Sequence, residues 1–293
     1  MCLISLPVEQ VSNTNIFVGL DRTKTRQITI YSNYISNHSD ANAMVIPVPL
    51  DPNTLSSQTI MFHDMIGMRN FFKNVDKSFY RLSNTPGYGS RSFSSVDSAK
   101  STNSTKLEVL NVGSYKVSLV PSLSDLSRLD KNIFILSDGL ANILTNYYKD
   151  SYWGFIVFVL AKDSKEYHPF AYSHTLLNQQ IYIPTRHYHN HMSQPKFGKI
   201  SSYLERNENK QHNSNTATAD DWSHNIYLFN CGKSGQNFKL LQSMLDPSYT
   251  YGWDKNLYWN RRLIDFDLLS CDGFEKYHIE GIHPNLDLIL PLC

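Results

Sequence analysis

Charged residues, cysteines and long apolar runs are all scarce in this chain of 293 residues. Charged side chains make up 18% of the sequence, and 27 Lys and Arg against 26 Asp and Glu leave a net charge of +1. This balance lacks the basic excess of a nucleic-acid binder, so we expect no nucleic-acid partner. Uncharged polar residues, among them 26 asparagines, replace the missing charge. With 41% hydrophobic residues the chain can bury a core, which excludes a charge-driven disordered protein.

The few cysteines and the short apolar runs bear on the compartment. The cysteines are Cys2, Cys231, Cys271 and Cys293. Their spacing contains no C-x-x-C pair, which excludes a zinc ribbon and a dithiol redox motif and predicts free thiols in a reducing compartment. The first residues have no basic region, no long apolar stretch and no cleavage site, so we expect no signal peptide. The best apolar run, Phe155 to Ala161, is far shorter than the roughly 18 residues of a spanning helix, and we expect a soluble, intracellular protein.

Strand patterns outnumber helical patterns in the sequence. Apolar alternation or short apolar runs predict strands over 15–19, 26–35, 43–48, 114–120, 153–160, 167–173, 180–184 and 225–229. Pro47 and Pro49 predict that the third of these strands lies near an edge or at the end of its sheet. The fold class that follows is α+β and strand-rich, with layered antiparallel or mixed sheets and a few packing helices.

Helices are expected at several places between these strands. The spacing of Met61, Met65, Met68, Phe72 and Val75 predicts an amphipathic helix packed on a sheet. Ser122-x-x-Asp125 indicates a helix start, and a further helix is expected over 140–148.

Two polar stretches, 83–105 and about 205–219, have few apolar anchors and are interpreted as long loops. A short helix is expected near 238–245. We therefore expect one strand-rich domain over residues 1–200, containing the loop 83–105, and a Trp-rich C-terminal extension over 201–293 packed on it.

One resemblance rests on short motifs in the first 190 residues. Arg26-Gln27 leads into Tyr31-Ser32-Asn33, and Ala43 to Pro49 ends in Pro-Val-Pro. This order resembles a family of uncharacterised, mostly bacterial proteins in which a Gln-bearing strand precedes a strand ending Leu-Pro-Val-Pro. The family implies no activity and no catalytic residues for this chain. The Asn-, Tyr- and Ser-rich composition also resembles proteins from AT-rich protist or giant-virus genomes.

Histidines are concentrated in the third quarter of the chain, where seven of the 11 fall between His168 and His224. His187, His189 and His191 are two residues apart, which on an extended chain directs all three imidazoles to one face. Imidazole binds zinc and other divalent transition metals. The candidate metal ligands are His168, His174, His187, His189, Asp221 and His224. The alternative is that these histidines are solvated or hydrogen-bonded to backbone.

Cys2 is a candidate nucleophile. Removal of Met1 would place a free α-amine beside its thiol, so that the nucleophile supplies its own base. The flanking residues resemble the start of N-terminal-nucleophile amide hydrolases, and Gly19-Leu20-Asp21 occupies the place of an acidic partner in the bile-salt-hydrolase type. The alternative is a buried, inert thiol.

The sequence completes no catalytic constellation, and this favours a structural or interaction protein. We expect protein partners, with a component of a large assembly such as a virus particle as one form of this hypothesis. A metal-dependent hydrolase and the Cys2 amide hydrolase are the two enzymatic alternatives.

Overall fold

The structure, a computed structural model, has its strands in three sheets. It describes residues 2–21, 23–36, 42–50, 60–79, 95–96, 106–149, 152–160, 168–189, 219–229, 251–254, 274–284 and 286–292. An eight-stranded sheet and a six-stranded sheet contribute to one apolar core, and a two-stranded sheet accompanies them. The predicted α+β, strand-rich class is confirmed.

The eight-stranded sheet has the order β14-β15-β13-β2-β3-β10-β5-β6. Its strands are β2 (Gln10–Leu20), β3 (Arg26–Ser36), β5 (Ile60–His63), β6 (Ser95–Val96), β10 (Phe170–Thr175), β13 (Ala219–Phe229), β14 (Tyr251–Asp254) and β15 (Phe274–Pro284). All neighbours are antiparallel except β13 and β2, which run parallel. The predicted strands over 15–19, 26–35 and 225–229 are confirmed within it.

The six-stranded sheet has the order β12-β1-β4-β9-β8-β7. Its strands are β1 (Cys2–Ile4), β4 (Ala43–Pro49), β7 (Leu110–Val112), β8 (Tyr115–Val120), β9 (Trp153–Val159) and β12 (His187–Tyr188). The central strands β4 and β9 are almost continuously buried. Phe158 of β9 stacks on Phe170 of β10 with ring centroids 4.7 Å apart, so the two large sheets are in direct contact.

The remaining elements pack on these sheets. The two-stranded sheet pairs β11 (Gln180–Ile183) with β16 (Leu288–Pro291). The α-helices in the described part of the chain are α1 (Phe71–Phe79) and α2 (Asp138–Tyr147). Short 3-10 helices span Ile66–Met68 and Leu123–Arg128. Helix α1 lies against the eight-stranded sheet, with Phe71 5.4 Å from Phe17 and Phe72 5.6 Å from Tyr227 between ring centroids. The helix start predicted at Ser122 is confirmed, although the helix is of the 3-10 type.

The single helix predicted from Met61 to Val75 is wrong in its first half. Residues 60–63 form β5, in which Ile60 and Phe62 are buried. The spacing of the apolar residues fits both structures at this point, and pairing with β10 decides for the strand. The Asp64 carboxylate then accepts a hydrogen bond from the Ile66 amide at 2.8 Å, which forms a turn before α1.

Pro47 and Pro49 lie in an internal strand, between β1 and β9. The short β1 pairs with β4 only at Met44 and Val45, so both prolines lie beyond the end of that pairing. A proline is tolerated there because no ladder hydrogen bond is required on that side. Of the two predicted positions, the structure shows the sheet end and not the edge strand.

The C-terminal strands are part of the sheets formed by the first 200 residues. β13 lies between β2 and β15, and β16 pairs with β11. The division into a domain over 1–200 and an extension over 201–293 stays a prediction. The loop expected over 205–219 and the helix over 238–245 lie outside the described residues, apart from the first residue of β13, and β6 lies within the loop expected over 83–105. In the described part of the chain no helix is long and apolar enough to cross a membrane.

Candidate functional site

A buried arginine lies where α2, the turn after β11 and the start of β16 meet. We call Tyr147, Tyr148, Arg186 and Asp287 the arginine site. Helix α2 is fixed at its start by Ser137, whose hydroxyl donates to the Ser5 carbonyl at 2.7 Å and accepts from the Leu140 amide. Leu140, Leu144 and Tyr148 repeat every four residues and are buried, which leaves Tyr147 on the exposed side.

Asp287 is held by three hydrogen-bond donors. One carboxylate oxygen accepts from the backbone amides of Thr185 and Arg186, each at 2.9 Å, and the other accepts from the Tyr148 hydroxyl. Only 7% of the Asp287 side chain is exposed. Because these donors compensate its charge, Asp287 does not depend on the guanidinium of Arg186 for stabilisation.

The side chain of Arg186 is buried, with 12% of it exposed. Nε lies 3.9 Å from the Asp287 carboxylate, beyond hydrogen-bond distance. Among the described residues neither Nε nor Nη1 has a hydrogen-bond acceptor. The guanidinium carbon lies 3.8 Å from the centroid of the Tyr147 ring, a cation–π contact.

The tyrosine hydroxyls around Asp287 stay protonated at neutral pH. Burial and then the Asp287 carboxylate raise the pKa of Tyr148 and that of Tyr182 far above the ordinary value. Trp153 packs against both tyrosines, and its ring centroid lies 5.1 Å from that of Tyr148 and 5.2 Å from that of Tyr182. The arginine site therefore has a rigid, aromatic inner wall.

Three exposed apolar side chains belong to the arginine site or lie next to its aromatic wall in the chain or in the strand pairing. Tyr147, Tyr152 and Ile289 are 39%, 52% and 41% exposed, and we call them the apolar rim. Tyr152 precedes Trp153, and Ile289 lies two residues after Asp287, opposite Tyr182 in the β11–β16 pair. The described residues contain five such exposed large apolar side chains, and three of them form this rim.

Of the histidines predicted as metal ligands, His187 has two others, His224 and His189, as neighbours. The rings of His187 and His224 have centroids 4.6 Å apart, and those of His187 and His189 are 6.5 Å apart. Burial, with His189 nearby, holds the pKa of His187 well below its usual value. In the described part of the chain no group of three His, Cys, Asp or Glu residues is arranged to hold a metal ion.

His168 contacts the turn between β7 and β8. Its Nε2 accepts a hydrogen bond from the Ser114 amide at 3.1 Å, and its Nδ1 donates to the Pro169 carbonyl at 2.9 Å. Gly113, in the same turn, has φ +57°, and a Cβ at this position would lie 2.7 Å from the His168 ring. Both ring nitrogens thus bind backbone groups, as in a histidine that fixes a turn.

The other predicted site residues lie apart or are partly outside the described structure. His174 is on β10, where its Nδ1 donates to the Thr175 carbonyl at 3.0 Å, and burial lowers its pKa to about 4. Asp221 pairs with Ile282 through β13 and β15, and Cys2 pairs with His187 through β1 and β12. The side chains of Asp221 and Cys2, and all of His191, lie outside the described residues.

A serine–histidine pair also occurs in the eight-stranded sheet, but it is sealed from solvent. Ser173 Oγ lies 3.1 Å from His63 Nε2, and both residues are buried. Burial, and then the nearby Arg26 charge, lower the pKa of His63 to about 4. A small cavity of about 10 Å³ elsewhere in the core, lined by Tyr31 and Phe170, has room for about one water molecule.

The sequence patterns point to the histidine group but miss the arginine site. Arg186 stands directly before the histidine run, and Tyr147-Tyr148 ends a predicted helix, yet no short motif joins them to Asp287. Such a site is recognisable only when the pairing of β11 with β16 is known.

No known family model matches the chain. Among solved structures, the chain is similar to a mutated baculovirus P35 after caspase cleavage, with 10% identity, a TM-score of 0.49 and coverage of 96% of this chain and 99% of that one. It is similar to baculovirus P35 itself at 12% identity and a TM-score of 0.45, with 97% of each chain covered. P35 from a caspase-8 complex matches at 10% identity and a TM-score of 0.43, with 96% of each chain covered.

Proposed function

We propose that this chain acts by binding another protein, which docks on the apolar rim around the arginine site. The observation that carries the proposal is the exposure of the three apolar rim side chains, one of which, Tyr147, lies on the Arg186 guanidinium. Tyrosine and arginine in an apolar surround are the residue types that dominate the energy of protein interfaces. Exposed apolar groups that lie together are also typical of interaction sites on soluble proteins.

The charge and composition of the chain agree with this function. A net charge of +1 gives little long-range attraction for a charged substrate, and uncharged polar groups cost less to desolvate at an interface than charged groups do. The buried Ser173–His63 pair offers no access for a substrate. Protein binding is therefore favoured over hydrolysis by this pair.

Site-specific cross-linking tests the proposal. Tyr152 is replaced by the photo-cross-linking amino acid p-benzoylphenylalanine, and the same replacement at Ile66, which is 48% exposed in the turn before α1, is the matched control. We expect irradiation to attach one defined protein at position 152 and not at position 66. Equal products at both positions, or none, would contradict docking on the apolar rim.

Binding measured with the purified partner completes this test. Ile289→Ser is expected to weaken binding at least tenfold, because it removes an exposed anchor from the rim, and Ile66→Ser is expected to leave it unchanged. Caspase-8, with which one of the similar proteins forms a complex, is a defined first probe for this measurement.

A component of a large assembly, such as a virus particle, is one form of the same proposal. In that case the partner on the rim would itself belong to the assembly. Cross-linking of position 152 to a particle protein would support this form, and cross-linking to a protein outside the particle would contradict it.

A metal-dependent hydrolase is a second candidate, in which His187 and His224, with ring centroids 4.6 Å apart, would supply two of the ligands. Metal analysis of the purified chain tests it, with a His187→Ala/His189→Ala double variant as the control. One bound zinc or other transition metal per chain, lost in the double variant, would support the hydrolase. A metal-free wild-type chain after dialysis against zinc would exclude it.

A further inference from the structure

Arg186 has donor groups that the described part of the protein leaves unused. A guanidinium carries five N–H donors. Nε and Nη1 are buried and have no acceptor among the described residues, and the carboxylate of Asp287 is 3.9 Å away from Nε. A buried donor without an acceptor destabilises the free protein, so its presence calls for an explanation.

Asp287 cannot supply the missing acceptor at its present position. Its two oxygens already accept from the Thr185 amide, the Arg186 amide and the Tyr148 hydroxyl. A shift toward the guanidinium would lengthen these three hydrogen bonds. Asp287 is therefore held in place by other donors, and Nε and Nη1 of Arg186 are left able to bind an acceptor from another molecule.

Tyr147 is the side chain between Arg186 and the outside. Its ring lies on the guanidinium at 3.8 Å, and it is 39% exposed. Tyr147 is the last residue of α2, and Tyr148 caps the end of this helix. We expect rotation of this half-exposed ring to open a path from solvent to the guanidinium.

We propose that the arginine site binds the carboxylate of an aspartate or glutamate side chain presented by the partner protein. This inference rests on the proposed docking of a protein at the apolar rim. A carboxylate matches the planar guanidinium by forming two parallel hydrogen bonds, a geometry that Asp287, 3.9 Å from Nε, does not offer Arg186. The rim then excludes water around this contact, as the apolar surround of an interface anchor does.

The experiment observes the Nε–H group of Arg186 by nuclear magnetic resonance in the full chain. The probe is N-acetyl-aspartate N-methylamide, and the matched control is the uncharged N-acetyl-asparagine N-methylamide, both at constant ionic strength. We expect the aspartate probe to shift the Arg186 signal saturably in the millimolar range. Arg128, whose guanidinium already pairs with Asp125 at 2.8 Å, is the internal control and should not move.

Two further measurements make the result decisive. Tyr147→Ala removes the covering ring from an exposed position and should tighten binding of the aspartate probe at least threefold. Inorganic phosphate is tested in parallel, and we expect it to bind more weakly than the aspartate probe. Equal shifts with the aspartate and asparagine probes, no shift at all, or tighter binding of phosphate would each overturn the inference.

This experiment fails independently of the proposed function. If position 152 cross-links a partner and the aspartate probe leaves Arg186 unchanged, carboxylate recognition is wrong and docking on the rim stands. If the probe binds and no partner is cross-linked at position 152, the anion site stands as a chemical property and the proposed function is wrong.

Discussion

At the scale of single residues, the amide of Gln27 joins two sheets. This buried side chain of β3 donates from Nε2 to the Tyr182 carbonyl at 2.6 Å and accepts from the Tyr182 amide at 2.9 Å. It thus gives β11 the pair of bonds that a neighbouring strand would give. A buried glutamine in a strand is understandable only from this contact, across 155 positions of sequence.

We expect Gln27→Leu to lower the free energy of unfolding by about 2 kcal/mol, since the Tyr182 amide and carbonyl lose their partners in a buried position. Urea denaturation followed by circular dichroism measures this change. Gln180→Leu, at an exposed glutamine at the start of β11, is the control and should change stability little. Equal effects of the two substitutions would contradict the bridging role of Gln27.

Buried histidines make stability depend on pH. Burial lowers the pKa of His63 and of His174 to about 4, against about 6.5 for histidine in an unfolded chain. Between about pH 6.5 and pH 4 these histidines therefore bind protons in the unfolded state and stay neutral in the folded state. The free energy of unfolding decreases as the pH is lowered through this range. We expect a loss of about 2 kcal/mol for each histidine between pH 7 and pH 5.

Urea denaturation at a series of pH values measures this dependence. His174→Gln should show a smaller loss of stability between pH 7 and pH 5 than the wild-type chain, because one titrating group is absent. A slope unchanged by this substitution would show that His174 does not contribute.

At the scale of elements, strands with simple alternation could be predicted and ambiguous apolar runs could not. The sequence predicts the strand over 26–35 almost to its ends, because β-branched and aromatic residues continue through Ile35. The run from Met61 fits a helix as well, because the same residues satisfy a spacing of four and the pairing of β5 with β10 is not visible in the sequence. Long-range pairing thus decides what local spacing leaves open.

The turn between β7 and β8 has a requirement for glycine. At Gly113 a side chain would need φ +57° and would approach the His168 ring to 2.7 Å. We expect Gly113→Ala to cost about 2 kcal/mol of unfolding free energy. Gly67→Ala is the matched control, because nothing lies within 4 Å of a Cβ at that position, and thermal unfolding of both variants checks the difference. A Gly113→Ala chain as stable as the control would be inconsistent with the contact to His168.

At the scale of the whole molecule, the arginine site joins residues that are far apart along the chain. Asp287 binds Tyr148 across 139 positions and Thr185 across 102. No local pattern marks such contacts, which is why the sequence led to the histidines instead. The histidine run has a spacing of two that can be recognised in the sequence. Arg186 is a single residue, and its surroundings depend on the pairing of β16 with β11, which places Asp287 beside it.

We expect Asp287→Asn to destabilise the molecule by about 3 kcal/mol, because it leaves the Arg186 charge buried without a counter-ion. Asp130→Asn is the control for a charge pair at the surface, since its partner Lys106 is 66% exposed. We expect that control to leave the melting temperature nearly unchanged. Thermal unfolding of both variants measures the difference, and two equal shifts would indicate that Asp287 contributes nothing beyond an ordinary surface pair.

The parallel pairing of β13 with β2 has a consequence for the time course of synthesis. β2 ends at Leu20, and its neighbour β13 begins only at Ala219. At roughly 5 to 20 residues per second, a ribosome needs about 10 to 40 s to produce the intervening chain. During this interval β2 has an open edge, which can pair with other chains. We therefore expect chaperones to bind the nascent chain and protect the open edge of β2 until β13 has left the ribosome.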